Sequence, residues 1–475
     1  METPHNDFMP FFKPKHIAIV GVARSEFRFG GMSFLQKYLE AGFPGKLYPI
    51  NPKASEILGL PAYPNLASLP EVPDLAVVCV AAAHVPAVLE ECGRIGLRHI
   101  HILTSGFNEV GTEEGRRLER QVASIAKEKG LLIIGPNCMG PYCPASHLTA
   151  WGAIPGASGP LGIISQSGSI TQRLTEYAYS LGIGTEKAVS IGNATVLNSL
   201  DFLEFMGEDE NIKVIAVYLE GLQEGGRFFD LARRIVPRKP IVLWKGGQTE
   251  VGARTAASHT GGMAGSQAIW EAVFRQTGVT PVSSLDEWMD AVMAFALLPR
   301  PRGRGVFIIG GGGGISVVYS DTCILEGLDV PAPSPAAMER LLQTVPQSGS
   351  IAGNPLDDWQ TLVDASYFGN ILELAYGEPQ VGMVIVDRLI FRKAFHIPDI
   401  PDPTPQTIEQ VKQKGHLKPT VFTVDSEGGD SDLALAGTNL RAQFCRAGLP
   451  AYPSVKRAAR ALMHLYRYSS RSGRS

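Results

Sequence analysis

The 475-residue chain has no surplus of basic charge, no paired cysteines and no apolar run long enough to span a bilayer. A formal net charge of −3 and a pI near 6.4 supply no general positive field, which makes nucleic acid a poor partner. Basic density rises only at the C-terminal end, where Lys456, Arg457, Arg460, Arg467, Arg471 and Arg474 read as the solvated face of a final helix. Six cysteines, at 79, 92, 138, 143, 323 and 445, lack CxxC spacing, and no basic segment followed by an apolar run opens the chain. We therefore expect a reducing, cytoplasmic setting. The longest apolar stretches, such as Leu75 to Ala83, fall well short of the roughly twenty residues a membrane helix needs, so no membrane association is expected. A P-loop GxxxxGKS/T is missing, and so is a full GxGxxG. His99 and His101 alternate along one strand face, but no third ligand accompanies them and no metal site is expected.

What is there is a β-α rhythm. Apolar runs at His16–Val22, Lys46–Ile50, Leu75–Val80, His99–Leu103 and Leu131–Ile134 alternate with helical patterns near 32–41, 85–95 and 113–129, as in a doubly wound nucleotide-binding sheet. The second strand ends in Asn51-Pro52-Lys53 where a dinucleotide site would carry an acid, so simple NAD binding is disfavoured. A ligand richer in phosphate suits Arg24 and Lys53 better.

Beyond Pro155 the chain repeats itself. Ile163 to Thr171 aligns with Ile308 to Ser316, and the register persists to Gly182 and Gly327. Ser190-Ile191-Gly192-Asn193 is echoed by Ser350-Ile351-Ala352-Gly353-Asn354, and Lys239-Pro240-Ile241-Val242 by Lys418-Pro419-Thr420-Val421. The segment Pro299 to Gly303 reads as a linker between the copies. Each copy opens with a strand, a loop of small residues and a helix, an arrangement whose exposed N–H groups and dipole favour an anion. Ser167 and Gly168 in one copy, and Gly312 and Gly313 in the other, are the candidate phosphate cradles; the plainer alternative is close helix–sheet packing. Only the first copy carries a histidine in the later loop, at Ala257-Ser258-His259-Thr260-Gly261-Gly262. A lone imidazole among small and hydroxyl-bearing residues suits a nucleophile that meets phosphate.

Gly135-Pro136-Asn137-Cys138-Met139-Gly140, Ser165-Gln166-Ser167-Gly168, Tyr218-Leu219-Glu220-Gly221, Ser258-His259-Thr260-Gly261 and Gly353-Asn354-Pro355 followed by Asp357 occur in this order. In these motifs the chain resembles the α subunit of nucleoside-diphosphate-forming acyl-CoA synthetases, the group that includes ADP-forming acetyl-CoA synthetase and is related to succinyl-CoA synthetase. The resemblance implies an α/β fold: an N-terminal Rossmann-like CoA-binding domain (1–150), a succinyl-CoA synthetase-like flavodoxin domain with the phosphohistidine loop (155–298) and a second such domain (303–470). It implies that His259 becomes a phosphohistidine, with Glu220 accepting a hydrogen bond from the imidazole and fixing its tautomer. Gly21, Arg24, Ser25, Lys53, Asn137 and Cys138 are the expected coenzyme A contacts, Cys138 lining the site as an inert thiol. Coenzyme A, a carboxylic acid and phosphate are the expected ligands. With no ATP-grasp lobe recognised in this sequence, ATP or ADP and Mg are expected on a separate ATP-grasp β subunit, giving a hetero-oligomer in which the His259 loop serves two active sites. Two other readings use the same scaffold: a phosphate-dependent carbamoyl or acyl transferase, and a non-catalytic CoA-binding regulatory protein.

Overall fold

A computed structural model describes residues 8–22, 30–149, 156–252, 254, 266–310, 312–346, 349–388, 404–414, 418–425 and 431–472. Its α/β elements fall into two compact units, one of Met1–Tyr179 with Gly184–Ser283 and one of Ser180–Ile183 with Ser284–Ser475.

The first unit holds two sheets. In the N-terminal one, β1 (His16–Val20), β2 (Lys46–Ile50), β5 (Leu75–Val78), β6 (His99–Ile102) and β7 (Leu132–Ile134) run parallel in the order β2-β1-β5-β6-β7, while β3 (Glu56–Ile57) and β4 (Leu60–Pro61) form a small hairpin. The central strands read as continuous apolar runs because helices cover both sheet faces: every residue of β5 is fully buried. Helices Gly31–Glu40, Val85–Ile95 and Glu113–Lys129 provide the cover. The last is fixed at both ends by its sequence. Thr112 accepts from the Gly115 N–H, Glu113 and Glu114 occupy the positive end, Lys127 and Lys129 the negative end, and Gly130 turns left-handed to stop it.

The second sheet of this unit contains β8 (Gly140–Tyr142), β9 (Leu161–Ser165), β10 (Thr185–Ser190), β11 (Val214–Leu219), β12 (Ile241–Lys245) and β13 (Thr280–Val282), in the order β13-β12-β11-β9-β10-β8. All neighbours are parallel except β8, which pairs antiparallel with β10.

In the second unit, β14 (Val306–Ile309), β15 (Met383–Asp387), β16 (Thr420–Thr423) and β17 (Ala451–Tyr452) lie parallel in chain order. This repeats the order β9-β11-β12-β13, so the duplication read from sequence is a duplication of topology. The copy differs where β10 would stand. Two isolated parallel bridges stand there, Asp329 to Gly305 and Leu356 to Ile309, and the Asn354 side chain fills the strand edge between them: Oδ1 accepts from the Ile308 N–H at 2.9 Å and Nδ2 donates to the Val306 and Pro331 carbonyls, both at 2.9 Å. The pairing places Leu356 opposite Ile309 as Val189 stands opposite Ile164. Asn354 therefore precedes the strand position that Asn193 follows, and the echoed Ser-Ile-Gly-Asn motif does different work in the two copies. Helix Leu285–Leu297, just before Pro299, packs within this unit along helix Val455–Ser472, where Arg457 clamps buried Asp290 at 2.6 and 2.8 Å.

Candidate functional site

The carboxyl ends of a parallel sheet are where loops diverge and ligands enter. In the N-terminal sheet those ends surround a 540 Å³ cavity lined by Gly30 before its helix, Cys79 to Ala81 after β5, Leu103 to Ser105 after β6 and Asn137 to Met139 after β7. Gly168 and Ser169, which open helix Gly168–Ser180 of the neighbouring sheet, close its other side. The first N–H groups of a helix have no intrahelical partner, so this wall presents donors and the positive end of a dipole. Gly168 is needed there: a Cβ would come within 2.6 Å of Met139 Cγ.

The Asn137 loop is held from beneath. Asn137 itself is left-handed (φ +60°), a conformation its short polar side chain tolerates, and its N–H donates to the Thr104 carbonyl at 2.9 Å. Cys138 is buried with its thiol 3.7 Å from the Ile102 carbonyl, and burial pushes its pKa up, so it stays an unreactive thiol. Fully buried His101 holds the Cys138 carbonyl through Nε2 at 3.1 Å; burial pushes its pKa down to about 4, the hydrogen bond opposing. The ring is therefore neutral at pH 7, with the Nε2–H donated.

Gly21 ends β1 at φ +94°, where a Cβ would meet the Cys79 carbonyl oxygen at 2.9 Å. Its role is backbone passage beside the cavity. Lys53 is exposed in the turn after β2, where its N–H caps Asn51, and is not among the residues lining the cavity. Arg24, Ser25 and His259 lie outside the described residues.

Glu220 follows β11 next to the cradle after β9. Gln166 joins the two loops, its Oε1 accepting from the Glu220 and Gly221 N–H groups at 2.5 and 3.0 Å. The Tyr218 hydroxyl, kept protonated by burial and by Glu220, donates to Glu220 Oε1 at 3.3 Å. Buried Lys245 donates to the Glu220 carbonyl at 2.8 Å and to that of Gly246; desolvation draws its pKa down while Glu220 opposes. In the cradle, Ser165 Oγ accepts from the Ser167 N–H at 3.0 Å, and the Ser167 and Ser169 hydroxyls stand 3.2 Å apart. Glu220 thus has its backbone anchored from both sides and its carboxylate held by the Tyr218 hydroxyl, with Gln166 tying its turn to the loop after β9.

In the second unit the equivalent loop carries its own anion. Gly312 caps helix Gly313–Leu325 at φ +69°, and its N–H donates to the Asp357 carboxylate, whose pKa is raised by burial despite that bond. A Cβ on Gly313 would stand 3.8 Å from Asp357 Oδ2. Under the loop, Tyr319 and Thr423 hydroxyls donate to buried Asp387 at 2.6 and 2.7 Å.

Sequence reasoning missed the Cys79–Ala81 and Leu103–Ser105 loops as lining, although strand ends were the signal for both. It also missed Glu109 and Glu119 behind Asn137, which no motif marks, and read Asn193 only as part of a repeated motif. Among the described residues no group of three His, Cys, Asp or Glu could hold a metal, and no helix is long and apolar enough to cross a membrane.

Comparison with known proteins agrees with this arrangement. The family model of a CoA binding domain matches residues 15–144, and that of a succinyl-CoA ligase-like flavodoxin domain matches residues 158–295. The ADP-forming acetate–CoA ligase I subunit alpha of Pyrococcus furiosus is 35% identical over 463 residues, covering 96% of this chain and 97% of the relative. The chain belongs to the ADP-forming acyl-CoA ligase family. Among solved structures, a dinucleotide-forming acetyl-coenzyme A synthetase 1 of Ca. Korarchaeum cryptofilum, in complex with phosphate and ADP, aligns with a TM-score of 0.85 at 32% identity, covering 98% of each chain. The ADP-forming acetate–CoA ligase of Methanocaldococcus jannaschii is 37% identical over 345 residues, and that match takes in 72% of this chain and 48% of the relative. This ligase-family chain therefore spans nearly all of one relative and about half of another. The family favours the ligase reading over the transferase and regulatory alternatives.

Proposed function

We propose that this chain is the α subunit of an ADP- or GDP-forming acyl-CoA synthetase, interconverting acid, coenzyme A and nucleoside triphosphate with acyl-CoA, nucleoside diphosphate and phosphate. The observation that carries the reading is the cavity: the strand-end loops of a CoA-binding sheet and the donor end of helix Gly168–Ser180 face one space, so a thiol and a phosphoryl group have adjacent berths. In the synthetic direction His259 receives the phosphoryl group and passes it to a carboxylate. The coenzyme A sulfur then attacks the acyl carbon, the C–O bond to phosphate breaks and inorganic phosphate leaves. Such transfers rest on positioning and charge stabilisation, which we assign to the Ser167–Gly168 cradle; Gly312 and Gly313 are the proposed phosphate-binding loop of the second unit. Glu220 orients the His259 ring and balances its charge. Gly21, Arg24, Ser25, Lys53, Asn137 and Cys138 are the proposed coenzyme A contacts. ATP or ADP and Mg belong on a separate ATP-grasp β chain in a cytoplasmic hetero-oligomer; the likeness to a P. furiosus relative named as a subunit alpha supports that division.

The test runs in reverse and without the partner. Acyl-CoA and radiolabelled inorganic phosphate yield acyl phosphate and free coenzyme A, and His259 then takes the phosphoryl group as the acid is released. An acid-labile, base-stable label is expected in the wild type and lost in His259→Ala. Equal labelling of the variant, or no labelling across a broad panel of acyl-CoAs, refutes the role.

A further inference from the structure

Behind Asn137 stands a chain of polar contacts that the transfer chemistry does not use. The Asn193 amide nitrogen donates to Glu109 Oε2 at 2.6 Å and to Glu119 Oε2 at 2.8 Å. Both carboxylates are themselves fixed by backbone: Glu109 accepts from the N–H groups of Gly106 and Phe107, and Glu119 from that of Asn108. Asn193 Oδ1 then accepts from Asn137 Nδ2, at 3.3 Å. The Asn193 backbone is pinned as well, its N–H donating to the Pro136 carbonyl at 3.0 Å.

Which way a side-chain amide points is ordinarily ambiguous, because its oxygen and nitrogen look alike. Here it is not. Ionised carboxylates only accept hydrogen bonds, so two of them converging on one atom of Asn193 require that atom to be the nitrogen. The oxygen of Asn193 must then face Asn137, and only the nitrogen of Asn137 can meet it. Asn137 lines the cavity. We propose that Glu109, Glu119 and Asn193 form a positioning relay that sets Asn137 to offer Oδ1, a hydrogen-bond acceptor, to an N–H or S–H donor on the pantetheine end of the ligand. Reading that ligand as coenzyme A rests on the proposed function. The relay adds a polarity: a ligand with only acceptors at that point is disfavoured, because a site built for a donor is left unpaired without one.

The purified chain is titrated calorimetrically with coenzyme A and with adenosine 3′,5′-bisphosphate, which lacks the pantetheine arm. Asn193→Ala frees the Asn137 amide and is expected to weaken coenzyme A at least tenfold while leaving the bisphosphate within threefold of wild type. The triple variant Asn193→Asp with Glu109→Gln and Glu119→Gln rebuilds the relay with its donors and acceptors exchanged: both introduced glutamine amides donate to one oxygen of the introduced aspartate, whose other oxygen accepts from Asn137. Coenzyme A affinity within threefold of wild type is expected. Wild-type affinity for coenzyme A in Asn193→Ala, equal weakening of both ligands, or a tenfold loss in the triple variant overturns the relay alone. Failure of the wild-type protein to bind coenzyme A overturns the relay together with the ligase reading.

Discussion

Replacing His101 with Gln separates a hydrogen bond from a titration. The imidazole is fully buried, donates Nε2–H to the Cys138 carbonyl, and has a pKa pushed by burial from 6.5 down to about 4; its Nδ1 has no partner among the described residues. The folded state therefore resists the proton that the unfolded chain accepts. Stability from this group is nearly complete at pH 7, falls as pH drops below the unfolded value and levels off below the folded one. Integrated from pH 7 to pH 5, the loss is about 2 kcal/mol, with a slope near pH 5 of about 1 kcal/mol per pH unit. Glutamine can place its Nε2 near the same carbonyl and does not titrate. Its stability should fall by about 2 kcal/mol less than wild type over the same interval, whatever its loss of ring packing costs at pH 7. Because the chain has two compact units, a single melting curve need not report one transition. Hydrogen exchange of peptides from β6 and β7, followed in urea at pH 7 and pH 5, isolates the relevant one. The same pH dependence in both proteins would refute the buried, depressed His101.

Gly192→Ala tests how closely the loop after β10 approaches the Asn137 turn. Gly192 has φ +55°, and a Cβ would stand 2.3 Å from the carbonyl oxygens of both Asn137 and Pro136. Since backbone on both sides must move, a loss of about 3 kcal/mol or more in the first unit and weaker coenzyme A binding are expected; an unchanged melting temperature contradicts the close approach. Arg457→Met leaves the Asp290 carboxylate buried without its clamp, and burial already raises the Asp290 pKa despite the arginine. The expected loss is on the order of 3 kcal/mol at pH 7. A carboxyl whose folded pKa is raised gains relative stability as pH falls, so the defect should shrink in acid. A defect of the same size at pH 7 and pH 4.5, measured by denaturant unfolding of the second unit, would refute that account.

The sheets were legible because a parallel strand buried on both faces leaves an unmistakable apolar run, and because the chain contains the second fold twice. Topology followed from spacing: β9-β11-β12-β13 and β14 to β17 keep one order although their connections differ in length. Local motif matching misled at Asn354, whose resemblance to Asn193 is one of letters; a side chain that completes a strand edge cannot be told from one that braces a loop without strand register. Gly21 and Asn137 were named only as coenzyme A contacts that the resemblance implies, and their left-handed backbone emerged with the structure. The relay behind Asn137 was not legible, since Glu109 and Glu119 lie 84 and 74 residues from Asn193 and look like ordinary surface acids of a loop and a helix.

The antiparallel strand β8 has a consequence for anyone who would cut this chain into parts. Gly140–Tyr142 lies before the Pro155 boundary suggested by sequence, yet it pairs with β10 and forms the outer rim of the second sheet. A fragment started at 155 would carry β10 as a naked edge, a template for recruiting another copy's backbone. One started a few residues before Gly140 would bring its own stopper. The boundary between modules in the sequence and the boundary between hydrogen-bonded surfaces therefore differ by some fifteen residues, and soluble dissection or domain transplantation must follow the second.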